Sequence, residues 1–223
     1  MVVLGLTGSI GMGKTTVANA LRASGAAVWD ADAAVHRLLA AGGAAVAPVL
    51  ALFPDAARAG DPASGVDRAA LGARVFGDPA ALARLEAILH PLVRAGERHF
   101  LAASQRRGCR LAVLDVPLLF ETGGETRCDA TLVVSAPAFV QRARVLGRAR
   151  MSEERLAAIL ARQMADVEKR RRADFVIRTG LDRRVSRLAA RRVAARLSAL
   201  TGTRWPGCWA GALVPKAGGG RHA

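Results

Sequence analysis

The run Gly8-Ser9-Ile10-Gly11-Met12-Gly13-Lys14-Thr15 constrains this chain more than any other stretch. It matches G-x-x-x-x-G-K-[ST] at every fixed position. It stands between a short apolar run, Val2–Thr7, and a helical pattern, Lys14–Ala23, that Ser24-Gly25 closes. That order of strand, glycine loop and helix is the setting in which the spacing works. The glycines let successive N–H groups converge on phosphate oxygens, and the start of the helix adds its positive dipole end. The lysine is then placed to reach the β- and γ-phosphates, and the threonine hydroxyl to ligate Mg²⁺. Gly8, Gly11, Met12, Gly13, Lys14 and Thr15 are therefore candidate ATP-binding residues, with Thr15 also a metal ligand. A glycine-rich turn that binds nothing would have no need of the lysine, the threonine and both flanking elements.

A second apolar run, Ala26–Trp29, ends in Asp30-Ala31-Asp32 and begins a βαβ unit. Carboxylates at the end of such a strand face the ligand crevice of an open α/β sheet. There they can accept the proton of an attacking hydroxyl or orient Mg²⁺ through water. Alternatively, Asp32 precedes an alanine-rich helical run and could simply cap it. Asp115 ends the apolar strand Arg110–Asp115, where a carboxylate supports Mg²⁺ through water, or where it serves as an ordinary strand-end turn residue. His90, before Pro91, is placed either to touch substrate or to cap a helix end.

Residues 33–108 show helical patterns and little strand signal. Asp67 can cap a helix carrying Leu71, Val75 and Phe76. Asp78-Pro79 starts another, with Leu82, Leu85, Ile88 and Leu89 on one face and His90-Pro91 at its end. Segment 54–65, rich in Pro, Gly, Asp and Ala, reads as a surface loop. Strand signal returns at 110–115, at Ala130–Ser135 before Pro137, and at Asp174–Arg178. Leu181–Leu200 reads as a long amphipathic helix rich in arginine. Residues 201–223 carry no periodicity and are expected to be a poorly ordered or loosely docked tail.

With 223 residues, 52% of them hydrophobic but only 4% aromatic, the chain suits one α/β domain with an embedded subdomain and an aliphatic core. No apolar run is long enough to span a membrane. The opening residues lack a signal-peptide pattern, and three cysteines without metal spacing fit a reducing compartment, so a cytoplasmic chain is expected. The net charge of +15 calls for polyanionic partners, whether nucleic acid, acidic lipid or phosphate-rich small molecules. Much of it lies in 141–200, where 17 Lys and Arg, Lys169 the one lysine, face six Asp and Glu. Arg144 and Arg148, spaced i, i+4, are predicted to share a helical face. A mobile arginine lid of this kind would stabilise charge on a transferring phosphoryl group, with most of the other arginines forming a solvated basic face.

Taken together, Leu4 to Thr16, the Asp30-Ala31-Asp32 pair, Val66-Asp67-Arg68, Leu89-His90-Pro91, Pro117-Leu118-Leu119-Phe120-Glu121, Gln141, Arg144, Arg148, Gln163 and Ala173–Ile177 resemble the dephospho-coenzyme A kinase family over about residues 2–200. The resemblance implies the P-loop NTPase type of three-layer α/β/α fold around a parallel sheet. Its core would comprise 1–32, 109–140 and 173–200, with a helical coenzyme-A domain at 33–108 and a mobile lid at 141–172. It also implies that the ATP γ-phosphoryl group moves to the ribose 3′-hydroxyl of dephospho-coenzyme A, with Mg²⁺. Asp32 would be the base, with Lys14 and Arg148 neutralising the transferring charge. Thr16, Arg144 and Arg148 would bind ATP, and Asp30, Asp32, His90 and Leu118 the acceptor. A monomer is expected, with ATP and dephospho-coenzyme A as partners and neither nucleic acid nor membrane.

Two rivals remain at this point. Another small P-loop kinase, for a nucleoside or sugar, would lack the paired aspartates and the His90-Pro91 and Pro117–Glu121 signatures. An ATP-dependent nucleic-acid-binding protein would need stacking aromatics within its basic surface, and 141–200 contains only Phe175.

Overall fold

The computed structural model describes residues 1–149, 151–180 and 182–209. In chain order its strands and α-helices are β1 (Val2–Thr7), α1 (Lys14–Ala23), β2 (Ala27–Asp30), α2 (Ala31–Leu39), α3 (Val46–Leu52), α4 (Arg68–Val75), α5 (Pro79–Arg106), β3 (Leu111–Asp115), β4 (Ala130–Ser135), α6 (Ala138–Leu146), α7 (Glu153–Ala161), α8 (Asp166–Arg172), β5 (Phe175–Arg178) and α9 (Arg183–Ser198). The five strands form one parallel sheet in the order β2-β3-β1-β4-β5. Every residue of β1, β3 and β4 is buried, whereas the edge strands β2 and β5 are only partly covered. Continuous apolar strands of this kind belong to a parallel sheet covered on both faces. The sequence Val2-Val3-Leu4 and Leu132-Val133-Val134 leaves neither face polar.

The chain divides into two compact units, Met1–Trp29 with Leu101–Ala223, and Asp30–Phe100. The first holds a core of Val2, Leu4, Leu6, Val17, Leu21, Val113, Leu132 and Ile177. Along α9, Ser186, Ala190, Ala194 and Leu197 make a narrow buried stripe that packs on α1. The opposite face of α9 carries the arginines, so its amphipathic reading holds, although the helix begins at Arg183. Leu181 lies outside the described residues.

The second unit has its own core, with Leu39, Val49, Phe53, Val66, Leu71, Val75 and Leu85 among its members. Asp67 caps α4 by accepting from the Ala69 and Ala70 N–H groups, and those bonds, Ala70 first, hold its carboxyl below the usual carboxylate range. Segment 54–65, expected as an open loop, instead forms three short 3₁₀ turns that bury Ala56, with Ala57 bridged to Val66. The stop expected at Pro91 is also absent, because Pro91 lies inside α5. Proline removes one donor and crowds the carbonyl four residues back. Yet Leu82, Ile88, Leu89 and Leu92 all pack on the same core, so the apolar stripe continues through the proline and outweighs the local penalty.

Residues 201–209 depart from the reading of a loose tail. One carboxylate, Asp129, draws them in. Its Oδ1 accepts from the N–H groups of Thr203 at 2.6 Å and Arg204 at 2.9 Å, while its Oδ2 accepts from Val3 N–H at 2.8 Å. The Arg127 guanidinium lies 4.8 Å over the Trp209 ring. Residues 210–223 lie outside the described residues. The docked segment meets β1 and β4 at the ends where they begin, the edge of the sheet opposite the glycine loop. Truncation after Leu200 should therefore cost about 1–2 kcal/mol of stability, roughly 2–8 °C of Tm in a domain of this size. Turnover at 25 °C should be unchanged; thermal melts beside steady-state rates check both.

Candidate active site

The site is built where β1 ends. The loop that follows turns on two glycines whose backbones L-side chains rarely adopt. Gly11 has φ +78°, and a Cβ there would lie 2.5 Å from Val145 Cγ2. Gly13 has φ +86° and serves as the N-cap of α1. A glycine cap has no side chain to offer, and the first turn of α1 contains no acidic residue. The first N–H groups of α1 are therefore left without side-chain acceptors, with the positive helix end behind them, which is an anion-binding arrangement.

Asp115 arrives beside this loop through strand order. β3 inserts between β1 and β2, and the register sets Asp115 opposite Leu6. Lys14 Nζ is hydrogen-bonded to Asp115 Oδ1, so the loop cation and the strand-end carboxylate meet at one edge of the sheet. Asp115 is only 5% exposed, while Thr15 is open to solvent and Thr16 half-buried. Met12 is 3% exposed and packed in the core, so only its backbone is available to a ligand. Gly8 follows directly on β1.

Arg144 and Arg148 part company. α6 ends at Leu146 with Gly147 as its C-cap, so Arg148 lies beyond the helix and shares no helical face with Arg144. Gly147 breaks the run before the fourth residue is reached. Arg144 is bound into the loop's surroundings. Its Nη2 donates to the Thr179 carbonyl at 2.5 Å, and its Nη1 donates to Thr179 Oγ1 at 3.2 Å and to Gly11 O at 3.4 Å. Arg148 is exposed and has no side-chain partner among the described residues. Other members of the basic segment form pairs along α8, a half-buried one of Arg170 with Asp166 at 2.9 Å and a solvated one of Arg172 with Glu168 at 2.8 Å.

In the other unit, the capping part considered for Asp32 falls to Asp30. The cap of α2 is Asp30, whose Oδ1 accepts from Ala33 N–H at 2.9 Å. Asp32 lies in the first turn of α2, exposed and without a hydrogen-bond partner among the described residues. The helix begins one residue before Asp32, which removes it from the capping position. His90 is exposed on α5 rather than at a helix end, and Leu118 in the first unit is half-buried after β3.

A family model described as dephospho-CoA kinase matches residues 2–191. A dephospho-CoA kinase of Rhodospirillum rubrum is 57% identical over 190 residues, covering 85% of this chain and 89% of the relative. This chain belongs to the dephospho-CoA kinase family. A second kinase of that name, from Paramagnetospirillum magneticum, is 64% identical over 170 residues, covering 76% of this chain and 78% of its own. Among solved structures, that of TT1252 from Thermus thermophilus superposes with a TM-score of 0.74 at 38% identity, over 90% of this chain and 98% of the other. The dephospho-CoA kinase from Campylobacter jejuni shares the fold at a TM-score of 0.60, with 23% identity, over 88% and 97%.

Two further side chains near the loop carry contacts that sequence motifs left without a role. Thr179 Oγ1 donates to the Met12 carbonyl at 2.5 Å, directly beneath the loop. Lys169 is wholly buried and paired with Glu121 at 2.9 Å. Its signal was compositional, as a single lysine among the arginines of 141–200. A compact ammonium fits a closed pocket that a forked guanidinium would overfill.

Lys14→Ala should cut turnover at least a hundredfold, the scale of losing one preorganised charge-stabilising group, about 3 kcal/mol. Far-ultraviolet circular dichroism should show the fold retained. A variant with more than a tenth of wild-type turnover would remove the lysine from the site.

Proposed function

We infer that this chain transfers the γ-phosphoryl group of ATP to the ribose 3′-hydroxyl of dephospho-coenzyme A, completing coenzyme A. The observation that carries the reading is the uncapped start of α1 with Lys14 held against Asp115, in a chain that its dephospho-CoA kinase relatives match over most of its length. The N–H groups of Gly11, Gly13, Lys14 and Thr15 and the Lys14 ammonium hold the phosphates and spread their charge. The Met12 and Thr16 N–H groups donate to the Ser9 and Gly13 carbonyls and shape the turn. Thr15 and, through water, Asp115 would hold Mg²⁺. The donor set fits that ion. Mg²⁺ takes oxygen ligands, keeps several waters and relies on nucleotide phosphates rather than an all-protein cage. When bound, the ion would neutralise charge across the β- and γ-phosphates.

Asp32 is the base in this reading. Asp30 is occupied in capping α2, whereas Asp32 presents a free carboxylate that can take the proton of the attacking hydroxyl. Arg148, past the end of α6 and unpaired among the described residues, is free to meet the transferring phosphoryl group, while Arg144 contributes by securing the loop beside the nucleotide. His90 and Leu118 contact the acceptor, which the helical unit binds, and within 141–172 the part that closes as a lid lies between Arg144 and Gln163, which are both held at the loop. The enzyme acts as a cytoplasmic monomer. Nothing beyond ATP, Mg²⁺ and the acceptor is needed, so neither nucleic acid nor membrane enters the reaction.

The deciding experiment is ATP turnover with dephospho-coenzyme A, adenosine, shikimate and gluconate offered separately. Consumption only with dephospho-coenzyme A is expected; comparable rates with a sugar or nucleoside would overturn the reading. Asp32→Asn should lower kcat by about 10²–10⁴-fold, the worth of a positioned general base. ATP affinity, measured by calorimetry, should stay within about threefold, because the substitution keeps shape and removes only proton-accepting capacity. Arg148→Lys should lower kcat despite the retained charge, since an ammonium cannot span two phosphate oxygens as a planar fork does.

A further inference from the structure

The tip of the phosphate loop is held from outside itself. The Ile10 N–H donates to Gln163 Oε1 at 3.2 Å, and the Ile10 carbonyl accepts from Gln141 Nε2 at 2.8 Å. The orientation of each amide follows from its partner, because a backbone N–H can meet only an oxygen and a carbonyl only an N–H. The chain contains three glutamines, and two of them grip this one residue. Gln141 stands on α6 and is 7% exposed. Gln163 sits in the turn between α7 and α8, half-buried.

That turn is itself anchored. Glu121 Oε1 accepts from the Met164 N–H at 2.7 Å and is paired with Lys169 Nζ at 2.9 Å, and Lys169 also reaches the Pro117 carbonyl at 3.3 Å. Burying the Lys169 charge completely is expensive, and such pairs are poor devices for stability alone. What this pair does is fix the residue after Gln163, and so the distance from Gln163 to the loop.

We propose that Gln163 and Gln141 are positioning residues for phosphoryl transfer, which hold both backbone groups of Ile10 and so keep the phosphate loop in its nucleotide-binding shape, with Glu121 and Lys169 anchoring Gln163. The loop is otherwise glycine-rich, with Gly11 and Gly13 at positive φ, and a chain of that composition loses much conformational freedom when it closes on phosphate. A loop already gripped at its tip pays less on binding. The proposal rests on the reading that this loop binds ATP.

The two contacts differ in polarity, which gives the test. The same substitution, Gln→Glu, preserves an acceptor at 163 but removes the needed donor at 141. ATP affinity is measured by calorimetry on the full chain, with Tm and turnover on dephospho-coenzyme A alongside. Gln163→Met, of similar length without an acceptor, should weaken ATP binding about tenfold, the scale of one hydrogen bond in a closed site. Gln163→Glu should recover most of that loss. At 141, Glu should be no better than Met. Should the buried Gln141 variants fail to fold, the pair at 163 decides alone. Equal affinities for Gln163→Met and wild type, or no recovery with Gln163→Glu, would overturn the proposal. A wild type that binds ATP but leaves dephospho-coenzyme A untouched would overturn the kinase reading instead and leave the affinity test to judge the loop.

Discussion

The structure depends on a helix that begins without a cap. Gly13 starts α1 in a left-handed conformation, leaving the first N–H groups of the helix without side-chain acceptors and its positive dipole end exposed. Asp30, Asp67, Ser152 and Asp182 cap their helices with a side-chain oxygen. Helices α3, α6 and α8 lack such a cap as α1 does, but α1 alone of these four starts from a glycine in the left-handed region after a glycine loop. Withholding a side-chain oxygen at α1 leaves an unsatisfied site that an anion completes. The surrounding architecture keeps that site in place. β1 is buried on both faces and fixes where the loop leaves the sheet, and β3 sets Asp115 against the Lys14 ammonium.

A loop with three glycines in six residues needs support that it cannot supply itself. The structure provides it from the basic segment and the end of β5. Thr179 holds the Met12 carbonyl, Arg144 ties Thr179 to Gly11, and the two glutamines hold Ile10. Charge within 141–200 is thus sorted into three uses. Lys169 is buried as an anchor, Arg144 is bound into the loop's support, and Arg170 and Arg172 of α8 pair with carboxylates one turn earlier on their own helix.

Where an interaction is local, the sequence reads true. Val2–Thr7, Lys14–Ala23 and Ala130–Ser135 form the elements their apolar patterns predict, with the same bounds, because a continuous apolar run between a turn and a glycine has few other structures open to it. The phosphate loop and the cap at Asp67 were legible for the same reason. Divergences appear where two local signals compete or a distant partner decides. Pro91 signals a helix end, but Leu92 and its neighbours continue the buried stripe. Arg144 and Arg148 have helical spacing, but Gly147 ends the helix between them. Asp30 and Asp32 both suit a cap, and α2 starts at Ala31 rather than two residues later, which assigns the part to Asp30. Residues 201–209 have no pattern of their own, yet Asp129, more than seventy positions earlier, holds them.

By itself, then, the sequence determined that this chain folds around a strand–loop–helix that binds phosphate, and that its remaining motifs resemble those of the dephospho-coenzyme A kinase family. Those features are written in residue types at short spacings, where covalent connection fixes the geometry. Only the tertiary structure decided that β3 lies between β1 and β2, that a lone lysine is buried against Glu121, and that Gln141 and Gln163 meet at Ile10. Those contacts join residues from about 50 to more than 150 positions apart. Side-chain identity supplies their hydrogen-bonding capacity, but burial, strand order and the closing of the turn between α7 and α8 choose their partners.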